Sequence, residues 1–186
     1  MAEAALAGGA TAVQLHAPEL TDARLEALAG EIAERCRATG ALFVVNDRVA
    51  VAARVGAGAH VGQADDPGSA RKFLDPTAVL GVSVSTMDEA RAAEVAGADY
   101  LGVTVWATPT KPEAEPRGLD GLRSIARETA LPVVGIGGLH AGNAADVFDA
   151  GAAGICVVSA VGAAPDPVRA TEALVEAVDR WEEGKG

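Results

Sequence analysis

Aromatic side chains are nearly absent from this 186-residue chain, at 3% of residues. A core built without them must be filled by Ala, Val, Leu and Ile, which suits helices packed closely on a parallel sheet. Basic residues are scarce too: 15 Lys and Arg stand against 26 Asp and Glu, a formal charge of −11. Such a surface repels a phosphate backbone or an anionic bilayer, so neither nucleic acid nor membrane is an expected partner. No apolar run approaches the ~18 residues that a membrane span needs. The opening Met1-Ala2-Glu3-Ala4-Ala5-Leu6 lacks the basic stretch of a secretory signal, and a cytoplasmic location is the expectation. Cysteine is limited to Cys36 and Cys156, with no C-x-x-C pair. Cys36 fits an amphipathic helix and Cys156 an apolar strand, so both read as buried reduced thiols.

What the chain does have is rhythm. Short β-branched runs alternate with alanine-rich helical segments from end to end. Strands are expected at 11–15, 42–46, 59–62, 79–84, 100–105, 132–136 and 155–159, each nearly continuously apolar and bounded by glycine or proline. Between them, Leu25, Leu28, Ile32 and Cys36 recur at helical spacing within 21–39. Thr86-Met87-Asp88-Glu89 reads as a capping box. Small-residue stretches such as Val55-Gly56-Ala57 and Val95-Ala96-Gly97 read as helix exits.

Eight helical segments are expected, since the chain opens helically at 2–7, but only seven strands. The pattern is that of a (β/α)8 TIM barrel lacking its first β-strand in this chain, with residues 1–186 forming one domain. A barrel that is open, one completed by another chain and one whose first strand lies upstream of Met1 all fit.

In such barrels chemistry sits in the loops after the strands. Those loops hold Gln14 and His16, Asn46-Asp47-Arg48, Gln63 with Asp65-Asp66, Ser83 and Ser85, Thr108-Pro109-Thr110-Lys111, Gly137-Gly138, and Ser159-Ala160. Asp47 and Asp65 follow consecutive strands, so their carboxylates belong side by side at one rim. Two hard oxygen ligands without Cys or His suit Mg²⁺, while two loop aspartates capping the next turn would look the same. Gly135-Ile136-Gly137-Gly138 ends a strand ahead of a helix expected from about Ala141, where bare backbone amides can approach a phosphate. The Thr108–Lys111 loop offers two hydroxyls and a cation on a proline-stiffened frame, and also reads as a plain surface loop. Trp106 is expected to anchor that loop and Trp181 to dock the last helix. His60 is expected to pack on its strand and His140 to lie on a loop.

Taken in order, Val45-Asn46-Asp47-Arg48, His60-Val61-Gly62-Gln63-Ala64-Asp65, Gly81-Val82-Ser83-Val84, Thr108–Pro112, Gly135–Gly138 and Val158-Ser159-Ala160 resemble the thiamine phosphate synthase family, which includes thiazole tautomerase-like relatives. The resemblance runs from about Ala4 to about Ala177. It implies a (β/α)8 barrel and a Mg²⁺-using transferase of thiamine biosynthesis that joins hydroxymethylpyrimidine diphosphate to thiazole phosphate and releases pyrophosphate. It implies that Asp47 and Asp65 bind Mg²⁺ and that Asn46, Ser83, Thr110 and Lys111 hold the diphosphate. Gln14 would touch the pyrimidine, and Thr108, Gly138 and Ser159 would serve the thiazole phosphate. Small phosphorylated pyrimidine and thiazole molecules are thus the implied partners, and a homo-oligomer is open to the chain. One departure stands out. Where the family has Gln-x-Arg-x-Lys, this chain reads Gln14-Leu15-His16-Ala17-Pro18, two cations fewer beside an anionic leaving group. A changed chemistry on the same phospho-heterocycles, as in the tautomerases, and a non-catalytic phosphate-binding barrel are the alternatives.

Overall fold

The computed structural model describes residues 1–108 and 115–185. Helix α1 (Ala2–Ala7) leads into β1 (Ala12–Leu15), α2 (Asp22–Thr39), β2 (Leu42–Asn46), α3 (Val49–Val55) and β3 (Gly58–Val61). Then follow α4 (Pro67–Phe73), β4 (Leu80–Ser83), α5 (Met87–Val95), β5 (Tyr100–Thr104), α6 (Gly118–Glu128) and β6 (Val133–Ile136). The chain closes with α7 (Ala144–Asp149), β7 (Gly154–Cys156), α8 (Ser159–Gly162) and α9 (Pro167–Glu183). The seven strands form one sheet in sequence order, every neighbouring pair parallel. Sequential parallel strands joined by helical crossovers curl toward a barrel, because each crossover turns the same way. The result is a curled, TIM-like α/β sheet of seven strands, the number expected from the sequence; an eighth strand is not among the described residues.

Each strand splits its residues between two environments. One set faces the helices: Val45, Ala59, Val61, Leu80, Val82, Leu101, Val103 and Val133 are no more than 4% exposed. They meet Leu25 and Ala29 of α2, Val51 of α3, Ala90 of α5 and Leu122 of α6 in one contiguous core. The alternate residues face inward. The register joins Asn46 to His60, His60 to Gly81, Gly81 to Tyr100, Thr104 to Ile136 and Ile136 to Cys156. On this inner face Gln14, Asn46, Ser83, Tyr100, Thr104, Ile136 and Cys156 all stay partly exposed. Both faces were expected to be apolar. The helices cover only the outer one.

Local signals explain most of the boundaries. Thr86 Oγ1 accepts from the Glu89 N–H and Glu89 returns a bond to the Thr86 N–H, so the capping box starts α5 as expected. Gly56 and Gly97 take positive φ after α3 and α5, where a side chain would be strained. In α2 the buried stripe is Leu25, Ala29, Ile32, Ala33 and Cys36. Leu28, expected in that stripe, is 37% exposed, because at 100° per residue it falls at the margin of the buried face. The last strand is shorter than expected: β7 ends at Cys156, and Ser159 opens a helical turn instead. Cys36 is buried, whereas Cys156 is only partly so because it lies on the inner face of an edge strand; both are free thiols. Trp181 docks α9 as expected, its ring 4.8 Å from Phe148 and its Nε1 donating to Asp149 at 2.8 Å.

Gly135 belongs to the outer face rather than to a phosphate loop. A Cβ there would lie 2.6 Å from Val147 Cγ1 and 3.3 Å from Leu122 Cδ1. Gly135→Ala is therefore expected to overpack the seam between β6 and its helices and to cost about 1–3 kcal/mol, read as a lowered urea midpoint.

Candidate active site

The inner face and the loops after the strands converge on one end of the sheet. On β1 itself, Gln14 Nε2 donates to Asn46 Oδ1 at 2.6 Å, so the two expected binding residues form one unit across β1 and β2. His16, further along, is exposed. Arg48 turns away from this unit. Its guanidinium pairs with Asp22 and donates to the Pro18 carbonyl at 3.3 Å, tying the β2 loop to the β1 loop.

Asp47 occupies an unusual backbone. It is the only non-glycine residue with positive φ among the described residues, at 61°. The Arg48 N–H donates to the Asn46 carbonyl at 2.7 Å, closing a three-residue turn around Asp47, and the Val49 N–H then donates to the Asp47 carbonyl at 2.9 Å. Turns of this kind with positive φ at the centre are strained, and such strain persists where surrounding contacts impose it. Here the Asp47 N–H is anchored on the His60 carbonyl at 2.8 Å. The turn leaves the exposed carboxylate of Asp47 at the rim, beside the end of β3.

Asp65 lies just past that end. Its Oδ2 accepts from the Gly62 N–H at 2.8 Å, folding the loop back toward β3. Its neighbour Asp66 has the capping role: it accepts from the Gly68 N–H and from Ser69 Oγ at the start of α4, with Pro67 as first helical residue. The Ser69 hydroxyl and backbone bonds hold the Asp66 carboxyl below the usual value. Helix capping here thus falls to Asp66, while Asp65, like Asp47, remains exposed at the rim. No group of three or more His, Cys, Asp or Glu that would cage a metal occurs among the described residues.

A second set of bonds stiffens the rim between β3 and β5. Gln63 Nε2 donates to Ser85 Oγ at 2.8 Å and to Glu89 Oε2 at 2.9 Å, and the Ser85 N–H reaches the same carboxylate at 2.6 Å. Burial pushes the Glu89 carboxyl up, but the Ser85, Gln63 and Thr86 bonds together outweigh it, and the net result is a lowered value.

Across the site, the loops after β5 and β6 pack backbone against backbone. A Cβ on Gly137, at φ 93°, would lie 2.5 Å from the Trp106 carbonyl oxygen, and one on Gly138 would lie 3.0 Å from Trp106 Cβ. Trp106 packs on this junction; the Thr108–Lys111 loop that it was expected to anchor lies outside the described residues beyond Thr108. Asn143 locks the turn from behind, donating to the Gly138 carbonyl at 3.0 Å and accepting from the His140 N–H at 2.9 Å. The following helix starts at Ala144 rather than near Ala141, because residues 140–143 are used in this lock. Ser159 is exposed at the start of α8, after β7. Thr110 and Lys111 lie outside the described residues.

Two inner-face residues escaped the sequence reading. His60, expected only to pack, bonds to Tyr100 Oη and to Ser83 Oγ, each at 2.9 Å, and Tyr100 was not singled out at all. Alternation would have found them: Asn46, His60, Ser83 and Tyr100 fall on the strand positions opposite the apolar ones.

This is an α/β protein of the TIM-like class whose polar residues gather at the strand ends and on the inner face. Residues 1–161 match the family model described as thiamine monophosphate synthase. The thiamine-phosphate synthase of Moorella thermoacetica is 52% identical over 180 residues, 95% of this chain and 86% of that protein. That of Roseiflexus castenholzii is 46% identical, over 93% of this chain and 78% of its own length. The solved thiamine phosphate pyrophosphorylase from Pyrococcus furiosus superposes with a TM-score of 0.90 at 38% identity, covering 97% of this chain and 88% of that one. The chain belongs to the thiamine phosphate synthase family.

Glu89→Ala removes three acceptor contacts, one of them half of the capping box, and is expected to cost about 1–2 kcal/mol at neutral pH. Because the folded carboxyl is held low, its contribution is complete above the ordinary glutamate value of 4.5 and disappears as pH falls through the lower folded value. Denaturation curves of the two proteins should accordingly converge below pH 4.5; a constant gap down to pH 2 would contradict this assignment.

Proposed function

We propose that this chain joins hydroxymethylpyrimidine diphosphate to thiazole phosphate with release of pyrophosphate, as a cytoplasmic transferase of thiamine biosynthesis. The observation that carries the reading is the convergence, in a chain of this family, of Gln14, Asn46 and Ser83 on one inner face beneath two rim carboxylates, Asp47 and Asp65. Residues 1–186 are read as one domain of a (β/α)8 barrel, with β1 and β7 the edges that an eighth strand would join.

The rim suits Mg²⁺ better than a softer metal. Asp47 and Asp65 follow neighbouring parallel strands, are both exposed, and offer oxygen only. Magnesium is commonly held by one or two carboxylates plus substrate phosphates rather than by an all-protein cage. When bound it would neutralise charge building on the departing diphosphate. The protein's own share is placement. Asn46, Ser83, Thr110 and Lys111 bind the diphosphate, and Gln14, fixed by its bond to Asn46, meets the pyrimidine edge. Thr108, Gly138 and Ser159 hold the thiazole phosphate so that the thiazole nitrogen faces the pyrimidine methylene. Departure of the diphosphate leaves a delocalised cation, so alignment and leaving-group stabilisation account for most of the rate. Arg48 adjoins Asp47, and its guanidinium is engaged with Asp22 and the Pro18 carbonyl.

A thiazole tautomerase-like activity is less well supported: the loop after β4 carries Ser85 where those relatives use a histidine, and Ser85 is engaged with Gln63.

Purified protein given both substrates and Mg²⁺ is expected to release pyrophosphate, and chelation should stop it reversibly. Asp47→Asn and Asp65→Asn should each slow turnover about a hundredfold. No pyrophosphate from the unaltered protein, even at high concentration, would reject the reading.

A further inference from the structure

Behind the Ser83 hydroxyl the inner face contains a hydrogen-bonded chain whose other two members, His60 and Tyr100, make none of the proposed contacts. His60 is buried, at 9% exposure, with Nδ1 2.9 Å from Tyr100 Oη and Nε2 2.9 Å from Ser83 Oγ. The three residues come from three consecutive strands, β3, β4 and β5. Two glycines make room for them. Gly81 stands in register between His60 and Tyr100, and a Cβ on it would fall 2.1–2.4 Å from atoms of the Tyr100 ring. Gly102 stands in register with Ser83, and a Cβ there would come within 3.0 Å of His60 Cε1. The tyrosine ring therefore lies across a position emptied of its side chain, which is what lets its hydroxyl reach the imidazole.

A neutral imidazole carries one N–H and one bare nitrogen, so a chain through it has a sense. In one sense Tyr100 donates to Nδ1, the Nε2–H donates to Ser83, and the serine proton is turned outward. In the other, Ser83 spends its proton on Nε2 and presents only lone pairs. Burial raises the Tyr100 hydroxyl above its ordinary value of 10, so it stays protonated and able to donate.

The geometry points to Tyr100 and His60 as positioning residues that aim the Ser83 hydroxyl proton at an anionic oxygen of the diphosphate. This rests on the placement of Ser83 against the diphosphate proposed above. An anion at Ser83 selects the first sense, since only there does the serine donate outward, and Tyr100 is the donor that makes this sense complete. Neither residue needs to touch the substrate to act.

Tyr100→Phe removes one hydroxyl and keeps the ring over Gly81. It is expected to lower kcat/KM for the pyrimidine diphosphate about tenfold, the scale of one charge-assisted hydrogen bond, with KM for thiazole phosphate unchanged. In a Ser83→Ala background the same change should have no further effect, because its target is gone. Losses that multiply in the double variant, or a fully active Tyr100→Phe enzyme, would overturn the proposal. Nitrogen-15 NMR of the His60 ring, with inorganic pyrophosphate and Mg²⁺ added, supplies a readout independent of turnover. The Nε2–H tautomer is expected, and an Nδ1–H tautomer would reject the relay even in an active enzyme. Pyrophosphate binding with the Nε2–H tautomer but no turnover would reject the transferase reading alone. Absence of pyrophosphate binding would reject both.

Discussion

The division of every strand into an outer and an inner set of side chains is the constraint on which the rest depends. Helices bury the outer set almost completely, so those positions accept only apolar residues of fitting size. The inner face is left as the place where polar groups can point at a ligand while staying fixed by the sheet. Side chains mounted on strands are held more rigidly than side chains on loops, and ligand alignment benefits from that rigidity. The scarcity of aromatics follows from the same constraint. Small aliphatic residues let helices lie close on the sheet, and the single tyrosine is placed on the inner face, where its hydroxyl has a partner.

The site combines two kinds of precision. On the β1–β5 side, side chains are fixed by bonds to one another: Gln14 to Asn46, Gln63 to Ser85 and Glu89, His60 to Ser83 and Tyr100. On the β5–β7 side the backbone itself is shaped, with two positive-φ glycines pressed against the carbonyl and Cβ of Trp106 and held by Asn143. In the proposed reaction the diphosphate would fall on the first side and the phosphate monoester on the second. Asp47, in a strained turn at the rim, lies on the first side and faces neither helix nor core.

Much of this was legible in the residues. Capping chemistry, glycine exits and the seven apolar runs located nearly every element, since these signals act over a few neighbouring residues. The rim aspartates and the two glycines after β6 were legible because function in such folds sits after the strands. Other features were not. The Gly135-Ile136-Gly137-Gly138 run looked uniform, yet Gly135 fills space against Val147 and Leu122, whereas Gly137 and Gly138 shape a turn. Asp65 and Asp66 are adjacent and alike, and only the fold turns one toward the Gly62 N–H and the other onto its helix.

By itself, then, the sequence determined a parallel α/β architecture, the family, and the loops in which chemistry would be found, because local propensity and short motifs are written in neighbouring residues. Only the tertiary structure decided that Arg48 is engaged with Asp22, that Ser85 is bound to Gln63, and that His60, Ser83 and Tyr100 form one chain. Each of those contacts joins residues far apart in the chain, and the last also depends on strand register and on side chains left out at Gly81 and Gly102. Register brings together residues 20 to 40 positions apart in the chain, and no local pattern encodes which of them will touch.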